Sequence, residues 1–248
     1  MVESISNINT LEYELHAKEL IDGKILYMHS RIKLQNEPFC FYNYIIKPDV
    51  GVEILFTHKN KYALINTNGF PFINLKLDPY GRLIRRDKHH SLFDAGFDSF
   101  KGVVLSALEL LKQSPEKYII DLGVKQINNK ECQVFKVVNP DFSFSEYIVQ
   151  KGEDVESIAK KFNLSSYLIL VKNNLNFYDD IALGERILIP NSYGEQFEIW
   201  IDLQSNLPIV QKVFVNNKLF EHYEFKNIII NPDFSIDEFD KSNTEYNF

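Results

Sequence analysis

The sequence contains little cysteine, glycine or proline. Its 248 residues include 2 Cys, 10 Gly and 9 Pro. So little Gly and Pro argues against long flexible linkers and low-complexity segments. Cys40 and Cys132 lie far apart in apolar, strand-like runs, which excludes a disulfide scaffold and a cysteine-based metal cluster. We expect a buried free thiol at each position, with a bridge between the two as the alternative.

Long apolar runs and an excess of positive charge are also missing. The sequence has no stretch of about 18 apolar residues, so we predict no membrane-spanning helix. Its formal net charge of −7 argues against a nucleic-acid partner, because phosphate binding requires a concentrated basic face. The basic run R-L-I-R-R-D-K at residues 82–88 is the local exception, and we interpret it as a solvated strand end.

Aromatic residues are abundant, with 20 Phe and 13 Tyr in a chain that is 45% hydrophobic. This composition favours β-structure, and the length suits one sizeable domain with a smaller one. Residues 11–17 alternate apolar and polar side chains, which is typical of a strand with one buried face. Asp22-Gly23 predicts a hairpin turn. Further strands of an antiparallel meander are predicted at residues 24–34, 39–46, 52–56 and 62–66.

One helix interrupts the predicted strands. Between Asp98 and Gln113, apolar residues recur at three- and four-residue spacing, and Ser114-Pro115 ends the pattern. We expect this helix to lie on the concave face of the sheet. Strands are predicted again at residues 118–124, 131–138, 197–202, 207–215 and 219–230, and the tail after Pro232 is expected to lie against the surface.

Residues 147–190 follow a different pattern. The segment begins with a strand, turns at Lys151-Gly152 and enters a helix for which Asp154 is the predicted N-cap and Ser157 the capping-box partner. A second short helix is predicted at residues 165–172, and residues 184–190 close the segment with another strand. The order is therefore strand, helix, helix, strand.

This segment resembles a LysM module over its whole length and without gaps. The resemblance is carried by Tyr147, Val149, Lys151, Gly152, Ser157, Ile158, Ala159, Phe162, Leu164, Ser165, Asn173, Leu175, Gly184 and residues 187–190. It implies two helices packed on a two-stranded antiparallel sheet, with a shallow groove that binds N-acetylglucosamine units through backbone amides and an apolar floor. The glycan-binding residues that it implies are Gly152, Glu153, Asp154 and Val155 in a first loop, and Asn176, Phe177, Tyr178, Asp179, Asp180 and Ile181 in a second.

The groove departs from the family pattern at Glu153-Asp154, where the family usually has Asp-Thr or Asp-Ser. Asp caps a helix about as well as Thr, so the fold is expected to form. Carboxylates around the groove would repel those of peptidoglycan stems. The alternative is therefore a module that serves as a structural or protein-contact element. The acidic rim consists of Glu153, Asp154, Glu156, Asp179 and Asp180.

The rest of the chain carries a second resemblance. Its main motifs are Ile199-Trp200-Ile201-Asp202, Leu207-Pro208 and residues 223–225, with supporting matches at residues 51–53, 77–79, 89–91, 96–97 and 239–248. They resemble the LolA/LolB-type lipoprotein-carrier superfamily and, more closely, a related bacterial domain of unknown function. The resemblance implies an α+β fold, in which a curved antiparallel sheet forms a half-open barrel with covering helices. Residues 1–145 and 193–248 would form this discontinuous host, with residues 146–192 inserted in place of a hairpin turn.

In the carriers the concave cavity holds acyl chains, so the resemblance implies a lipid or a lipoprotein acyl chain as ligand, with a packed core as the alternative. His89-His90, near Asp78 and Asp94, is the only acid/base or metal candidate that we identify. Adjacent residues on a strand point to opposite faces, so we expect structural hydrogen bonds there and no metal site. No elbow, P-loop, zinc-protease or cysteine-triad motif is present, and enzymatic activity is unsupported.

The two resemblances together predict a protein of the bacterial periplasm or cell envelope, without a cofactor, that docks on peptidoglycan or a related glycan. The first residues lack the basic start and apolar stretch of a signal peptide, so we expect the mature form of an exported protein. A LysM-targeted cell-wall hydrolase and a purely structural or protein-binding envelope component are the two rival hypotheses.

Overall fold

The computed structural model describes residues 1–70, 72–110, 118–176 and 180–248. The helices are α1 (Val2–Ser6), α2 (Arg82–Arg85), α3 (Asp98–Leu110), α4 (Val155–Phe162) and α5 (Ser166–Lys172), with a 3-10 turn at Leu92–Asp94. The strands are β1 (Thr10–Ile21), β2 (Lys24–Gln35), β3 (Cys40–Lys47), β4 (Glu53–Thr57), β5 (Ala63–Asn66), β6 (Leu75–Leu77), β7 (Ile119–Ile127), β8 (Lys130–Val138), β9 (Phe144–Ile148), β10 (Arg186–Pro190), β11 (Gln196–Asp202), β12 (Pro208–Val215) and β13 (Lys218–Ile230).

Within the described ranges, eleven strands form one antiparallel sheet in the order β6-β5-β4-β3-β2-β1-β13-β12-β11-β8-β7. The N-terminal meander joins the C-terminal one where β1 pairs with β13. Strands β8 and β11 pair in continuous register from Val138↔Gln196 to Cys132↔Asp202, although residues 139–195 separate them. Strands β9 and β10 form a separate two-stranded sheet. The predicted class, a curved antiparallel sheet with covering helices and a βααβ module, is confirmed.

Asparagine supplies backbone conformations that this glycine-poor chain needs for its turns. Asn128 and Asn129 in the β7–β8 hairpin, and Asn216 and Asn217 in the β12–β13 hairpin, all have φ between 50° and 60°. Asn tolerates this left-handed region better than other residues with a Cβ, and a two-residue turn with two positive φ values matches the twist of paired strands. Both turns lie between strands that the sequence predicted.

The concave face of the sheet holds the main apolar clusters. Leu11, Tyr13, Leu34 and Ile209 are at most 1% exposed and pack in one cluster with Phe225. Helix α3 covers a second cluster, in which its Phe100, Val103 and Val104 contact strand residues such as Phe197. The predicted position of this helix is therefore correct over residues 98–110. Residues 111–113, which the prediction included, lie outside the described part of the chain.

The C-terminal tail lies against the convex face, as predicted. The Tyr246 ring stacks on that of Tyr42 with centroids 3.8 Å apart. Glu53, which is fully buried, accepts hydrogen bonds from the Tyr42 hydroxyl (3.1 Å) and from the backbone N–H (3.2 Å) and side chain of Asn247. The tail thus satisfies a buried carboxylate that the sheet alone would leave partly unpaired.

The structure differs from the sequence prediction in two local respects. Residues 82–88 do not form a strand end, because Arg82–Arg85 is a helical turn in which Arg85 is only 6% exposed. Helix α1 and the short strand β6 were not predicted, because each has too few residues for a periodic pattern.

Cys40 and Cys132 are buried free thiols as expected. In the described residues, no helix is both long and apolar enough to cross a membrane.

Candidate functional site

The module at residues 147–190 forms the predicted βααβ unit. Ser157 N–H donates to the Asp154 carboxylate at 2.7 Å, and Asp154 N–H donates to the Ser157 hydroxyl at 2.9 Å, which completes the capping box of α4. Ser165 caps α5 by accepting from Leu168 N–H. The two helices and the β9–β10 sheet enclose a small apolar core that includes Val149, Ile158, Leu164, Ile169 and Ile187.

Asn173 ties the end of α5 to the closing strand. Its amide donates to the carbonyls of Ile169 and Leu188, each at 2.8 Å, and its carbonyl oxygen accepts from Leu188 N–H at 2.7 Å. A side chain with both donors and an acceptor is needed for all three bonds. This accounts for the Asn at this position of the module pattern.

The two predicted groove loops lie on an exposed side of the module. Gly152 and Asp154 are exposed in the first loop, while Glu153 is half-buried and Val155 packs in the module core. In the second loop, Asn176 and Asp180 are exposed and Ile181 packs against the same core. Phe177, Tyr178 and Asp179 lie outside the described residues. Gly152, Asp154, Asn176 and Asp180 are therefore exposed to solvent.

Three of the five carboxylates predicted at the rim have partners inside the protein. Glu153 accepts from Lys161 Nζ at 2.9 Å, from Gln150 N–H at 2.9 Å and from the Tyr147 hydroxyl at 2.8 Å. The bonds from Lys161 and Gln150 lower the pKa of Glu153 to about 2. Asp154 is occupied by its capping bonds, and Glu156 pairs with Arg85 Nη1 at 2.8 Å. The negative charge of the rim is therefore smaller than the sequence suggested.

The module packs on the open side of the large sheet through its helices. Besides the Arg85–Glu156 ion pair, Asp22 N–H donates to the Tyr167 hydroxyl at 3.1 Å. The Asn163 amide donates to Ser106 of α3 at 2.8 Å. Tyr167 and Leu168 are buried in the same cluster as α3 and the strands. Helix α5 is thus buried on two sides, which explains why S-Y-L-I-L-V-K is apolar nearly all round.

A cavity of about 400 Å³ lies between the concave face of the sheet and the helices that cover it. Its walls come from strands β1 to β4, β12 and β13, from residues 84–96, from α3, and from α4 and the start of α5. The lining on β1 runs from Tyr13 to Glu19 on alternate residues, a length of about 20 Å at the usual strand rise. The expected alternative of a fully packed core is therefore excluded for this region.

A polar cluster lies in one wall of the cavity. Glu221, which is 1% exposed, accepts from His89 Nδ1 at 2.7 Å and from the Tyr193 hydroxyl at 3.0 Å. His90 Nε2 lies 3.6 Å from Glu221 and 3.1 Å from the Tyr193 hydroxyl. Glu19, which is 2% exposed, accepts from His89 N–H at 2.8 Å and from the Tyr223 hydroxyl at 2.5 Å. Both buried carboxylates are thus hydrogen-bonded.

The two histidines differ in environment. The His89 ring is fully buried between Tyr167 and Phe220, and its second nitrogen faces the Leu20 carbonyl at 3.0 Å, so both ring nitrogens face oxygen atoms. The His90 side chain is 30% exposed and lines the cavity. Burial alone would lower the pKa of His90, but the charge and hydrogen bond of Glu221, together with the charges of Asp94 and Glu19, outweigh burial and raise it to about 9. Burial alone would raise the pKa of Glu221, but the charge of His90 and the hydrogen bonds from His89 and His90 lower it to about 2.

The reason given from sequence for discounting His89-His90 is wrong, although hydrogen bonding is indeed their role in the structure. The two residues lie in a bend before the 3-10 turn and not on a strand. Their rings can therefore reach the same carboxylate from one side. Sequence reasoning missed Glu19, Tyr193 and Glu221, because a single acidic or aromatic residue carries no signal of a partner far along the chain.

A second group with metal-ligand chemistry lies on the opposite, convex face. Ligand atoms of Glu14, His16 and His29 all lie within 4.8 Å of one another. His29 Nε2 contacts Glu14 at 3.3 Å, His16 Nδ1 contacts the Tyr27 hydroxyl at 2.7 Å, and the two imidazoles stack. Each of these side chains thus already has a partner within the described structure, and the group is separate from the cavity.

Comparison with known proteins identifies the module. Residues 147–190 match the LysM domain family model, which confirms the module predicted from the sequence. No curated protein matches the chain. The family match covers the module and not the larger sheet.

Solved structures that match the whole chain do so at low similarity. Lipoprotein LppX of Mycobacterium tuberculosis has 7% identity and a TM-score of 0.43, covering 94% of this chain and 92% of its own. LprF of Mycobacterium bovis has 10% identity and a TM-score of 0.45, covering 94% and 90%. A LolA superfamily protein of Nitrosomonas europaea has 10% identity and a TM-score of 0.36, covering 97% and 96%.

Proposed function

We propose that this protein is located in the bacterial periplasm or cell envelope. There, its LysM module binds the N-acetylglucosamine units of peptidoglycan. We further propose that residues 1–145 and 193–248 form a discontinuous carrier domain around the inserted residues 146–192. This domain holds a lipid, or another apolar ligand such as a lipoprotein acyl chain. The observation that carries the proposal of a carrier domain is the cavity of about 400 Å³ under the module helices.

The position of the module supports the glycan-binding half of the proposal. Its helices face the sheet, whereas Gly152, Asp154, Asn176 and Asp180 remain exposed. The internal partners of Glu153 and Glu156 also reduce the repulsion that a carboxylate-bearing glycan would meet. The groove residues proposed are those implied by the LysM resemblance: Gly152, Glu153, Asp154, Val155, Asn176, Phe177, Tyr178, Asp179, Asp180 and Ile181.

Co-sedimentation with insoluble, purified peptidoglycan tests this half. Replacing the module by a short turn would remove the buried Tyr167 and open the cavity, so a point substitution is the better variant. Gly152→Asn adds an amide over the first loop, at a φ of 78° that Asn tolerates and with no atom within 4 Å of the new Cβ. Gly123→Asn is the matched control, because Gly123 has a φ of 72° and the same open space on β7.

We expect Gly152→Asn to sediment several-fold less than the unmodified protein and Gly123→Asn to sediment equally well. Equal sedimentation of all three proteins would show that the glycan does not bind at the first loop. Absence of sedimentation for the unmodified protein would contradict glycan binding itself and favour the structural alternative.

The cavity supports the carrier half, because its volume lies in the range of ordinary ligand pockets, about 300 to 1,000 Å³. Ala17 lies on its β1 wall and is fully buried, so Ala17→Leu fills part of the space. We expect this variant to bind a neutral, environment-sensitive apolar dye more weakly than the unmodified protein. Urea unfolding checks that the variant is folded. Unchanged dye binding in a folded variant would place the dye elsewhere.

A further inference from the structure

The cavity is not uniformly apolar, and its charged side chains are arranged unevenly. Four carboxylates line it, and each has a partner within the protein. Glu221 contacts His89 and Tyr193, and Glu19 contacts Tyr223. Asp94 accepts from Ser91 N–H at 2.9 Å and from the Ser91 hydroxyl at 2.7 Å, and Glu156 pairs with Arg85. The negative groups are therefore already satisfied.

The lysines that line the cavity are less fully matched. Among the described residues, neither Lys88 nor Lys160 has a carboxylate within 4 Å, whereas His90 lies 3.6 Å from Glu221 and 3.9 Å from Asp94. Lys88 is half-buried, so water solvates its ammonium group only in part. An ammonium group that faces a confined space without a carboxylate in contact favours an anion there.

A further buried polar atom lies at the other end of the same space. The side-chain oxygen of Asn43, a residue 6% exposed on β3, has no hydrogen-bond partner in the described structure and belongs to the cavity lining. Buried acceptors are nearly always paired, and an alkyl chain has no donor for this oxygen, so an ordered water is the partner that it requires beside an apolar ligand. Asn43 is level with Tyr13 across β2, well away from Glu19 along the sheet.

We propose that the cavity takes a single-chain amphipathic molecule whose anionic head group, a carboxylate or a phosphate monoester, lies against Lys88 and His90 and whose apolar chain extends along β1 towards Tyr13. This proposal rests on the proposed function, in which the cavity holds an apolar ligand, and it specifies the chemistry of that ligand. The head group makes charge-assisted hydrogen bonds to Lys88 Nζ and to a His90 nitrogen. The length of the β1 lining, about 20 Å, suits an extended chain.

A series of ligands with one chain and different head groups tests the proposal. The full-length protein, freed of bound lipid, is first loaded with a neutral apolar dye. Hexadecanoate, hexadecyl phosphate, hexadecanol and hexadecylamine are then compared for their ability to displace the dye. The first two distinguish a carboxylate source from a phosphate source, and the last two report neutral and cationic heads on the same chain.

We expect at least one anionic ligand to bind about tenfold more tightly than hexadecanol, since a charge-assisted hydrogen bond is worth more than a neutral one. Lys88→Met and His90→Gln are each expected to remove most of this advantage, because each weakens binding of the anionic ligands several-fold more than binding of hexadecanol. Lys136→Met is the matched control, because Lys136 is a half-buried lysine on β8 that does not line the cavity.

Hexadecanol or hexadecylamine binding as tightly as the anions would overturn the head-group proposal while leaving an apolar ligand in place. If none of the four ligands displaces the dye, the proposed carrier function itself is wrong. A variant that fails to fold is replaced by a titration of ¹³C-carboxyl hexadecanoate bound to the unmodified protein. A bound carboxylate between Lys88 and His90 must titrate at lower pH than one in a neutral detergent micelle, where no cation lies beside it, and titration at equal or higher pH would contradict the proposal.

Discussion

At the scale of single residues, the cavity wall combines charges that are satisfied with polar atoms that are not. Glu221 accepts from His89 and Tyr193 and lies beside His90, so its carboxylate is paired despite being 1% exposed. Asn43, in contrast, is buried with an unpaired carbonyl oxygen. A paired buried charge stabilises only while all its partners remain, whereas an unpaired polar atom destabilises the empty protein.

The pair formed by His90 and Glu221 makes stability depend on pH in a defined direction. The folded pKa of His90 is raised from 6.5 to about 9, so its contribution is complete below about pH 6.5 and is lost as pH rises towards 9. The folded pKa of Glu221 is lowered from 4.5 to about 2, so its contribution is present above pH 4.5 and is lost as pH falls towards 2. Other titratable groups facing His90 are Glu19, Asp94, Tyr193 and Tyr223.

We therefore expect the free energy of unfolding of the unmodified protein, relative to that of His90→Gln, to decrease between pH 6.5 and 9. Urea unfolding at four pH values in this window measures the difference. Parallel profiles for the two proteins would show that His90 is not held protonated by Glu221.

Asn43→Leu should stabilise the lipid-free protein, because Leu has a similar shape and no unpaired oxygen. We expect a gain of about 1 kcal/mol, the lower end of the cost of a buried unsatisfied polar group. Urea unfolding after removal of bound lipid measures it. A loss of stability instead would indicate that an ordered water satisfies the Asn43 oxygen in the empty cavity.

At the scale of elements, an ion pair joins α2 to α4, one of the helices that cover the cavity. Arg85 Nη1 lies 2.8 Å from Glu156, and the two side chains are 7% and 21% exposed. The pair links the chain before the histidines to the first helix of the module. Pairs this well shielded from water contribute more than surface pairs do, because solvent screens them less.

Arg85→Met should leave the Glu156 carboxylate without its partner and cost about 2 kcal/mol, less than the 3 to 5 kcal/mol typical of fully buried pairs. Adding Glu156→Gln to this variant should restore part of the loss, because the unpaired charge is then removed. Arg186→Met is the control: its pair with Glu146 is 69% and 63% exposed, and we expect a change of less than about 0.5 kcal/mol. Equal losses for Arg85→Met and Arg186→Met in chemical denaturation would contradict this.

At the scale of the whole molecule, the module and the sheet share one apolar cluster. Tyr167 and Leu168 of α5 are buried together with Phe100 of α3 and with Phe197 and Phe220 of the sheet. The module core beneath them is separate. Removing the module would therefore expose apolar surface as well as open the cavity, so we expect the two parts to unfold together.

Leu168→Ala tests this coupling, because the only tryptophan, Trp200, lies on β11 of the large sheet. The loss of a buried leucine side chain should cost about 3 kcal/mol. We expect the urea midpoint of Trp200 fluorescence to fall accordingly, and Ile169→Ala in the module core to lower it as well. A Trp200 transition that is unmoved by both variants would show that the module unfolds independently.

The local elements and the module follow from the amino-acid sequence alone. Alternation along residues 11–17, the Asp22-Gly23 turn, the Asp154 cap and the LysM order all depend on neighbours a few residues apart, which periodicity and capping preferences report. The cavity and its polar cluster depend on contacts between distant parts of the chain. His89 meets Glu19 and Glu221 across 70 and 132 positions of sequence, and α4 meets Arg85 across 71. The cavity exists because the module helices cover an open, curved sheet without filling it, and no local pattern in the chain encodes that space.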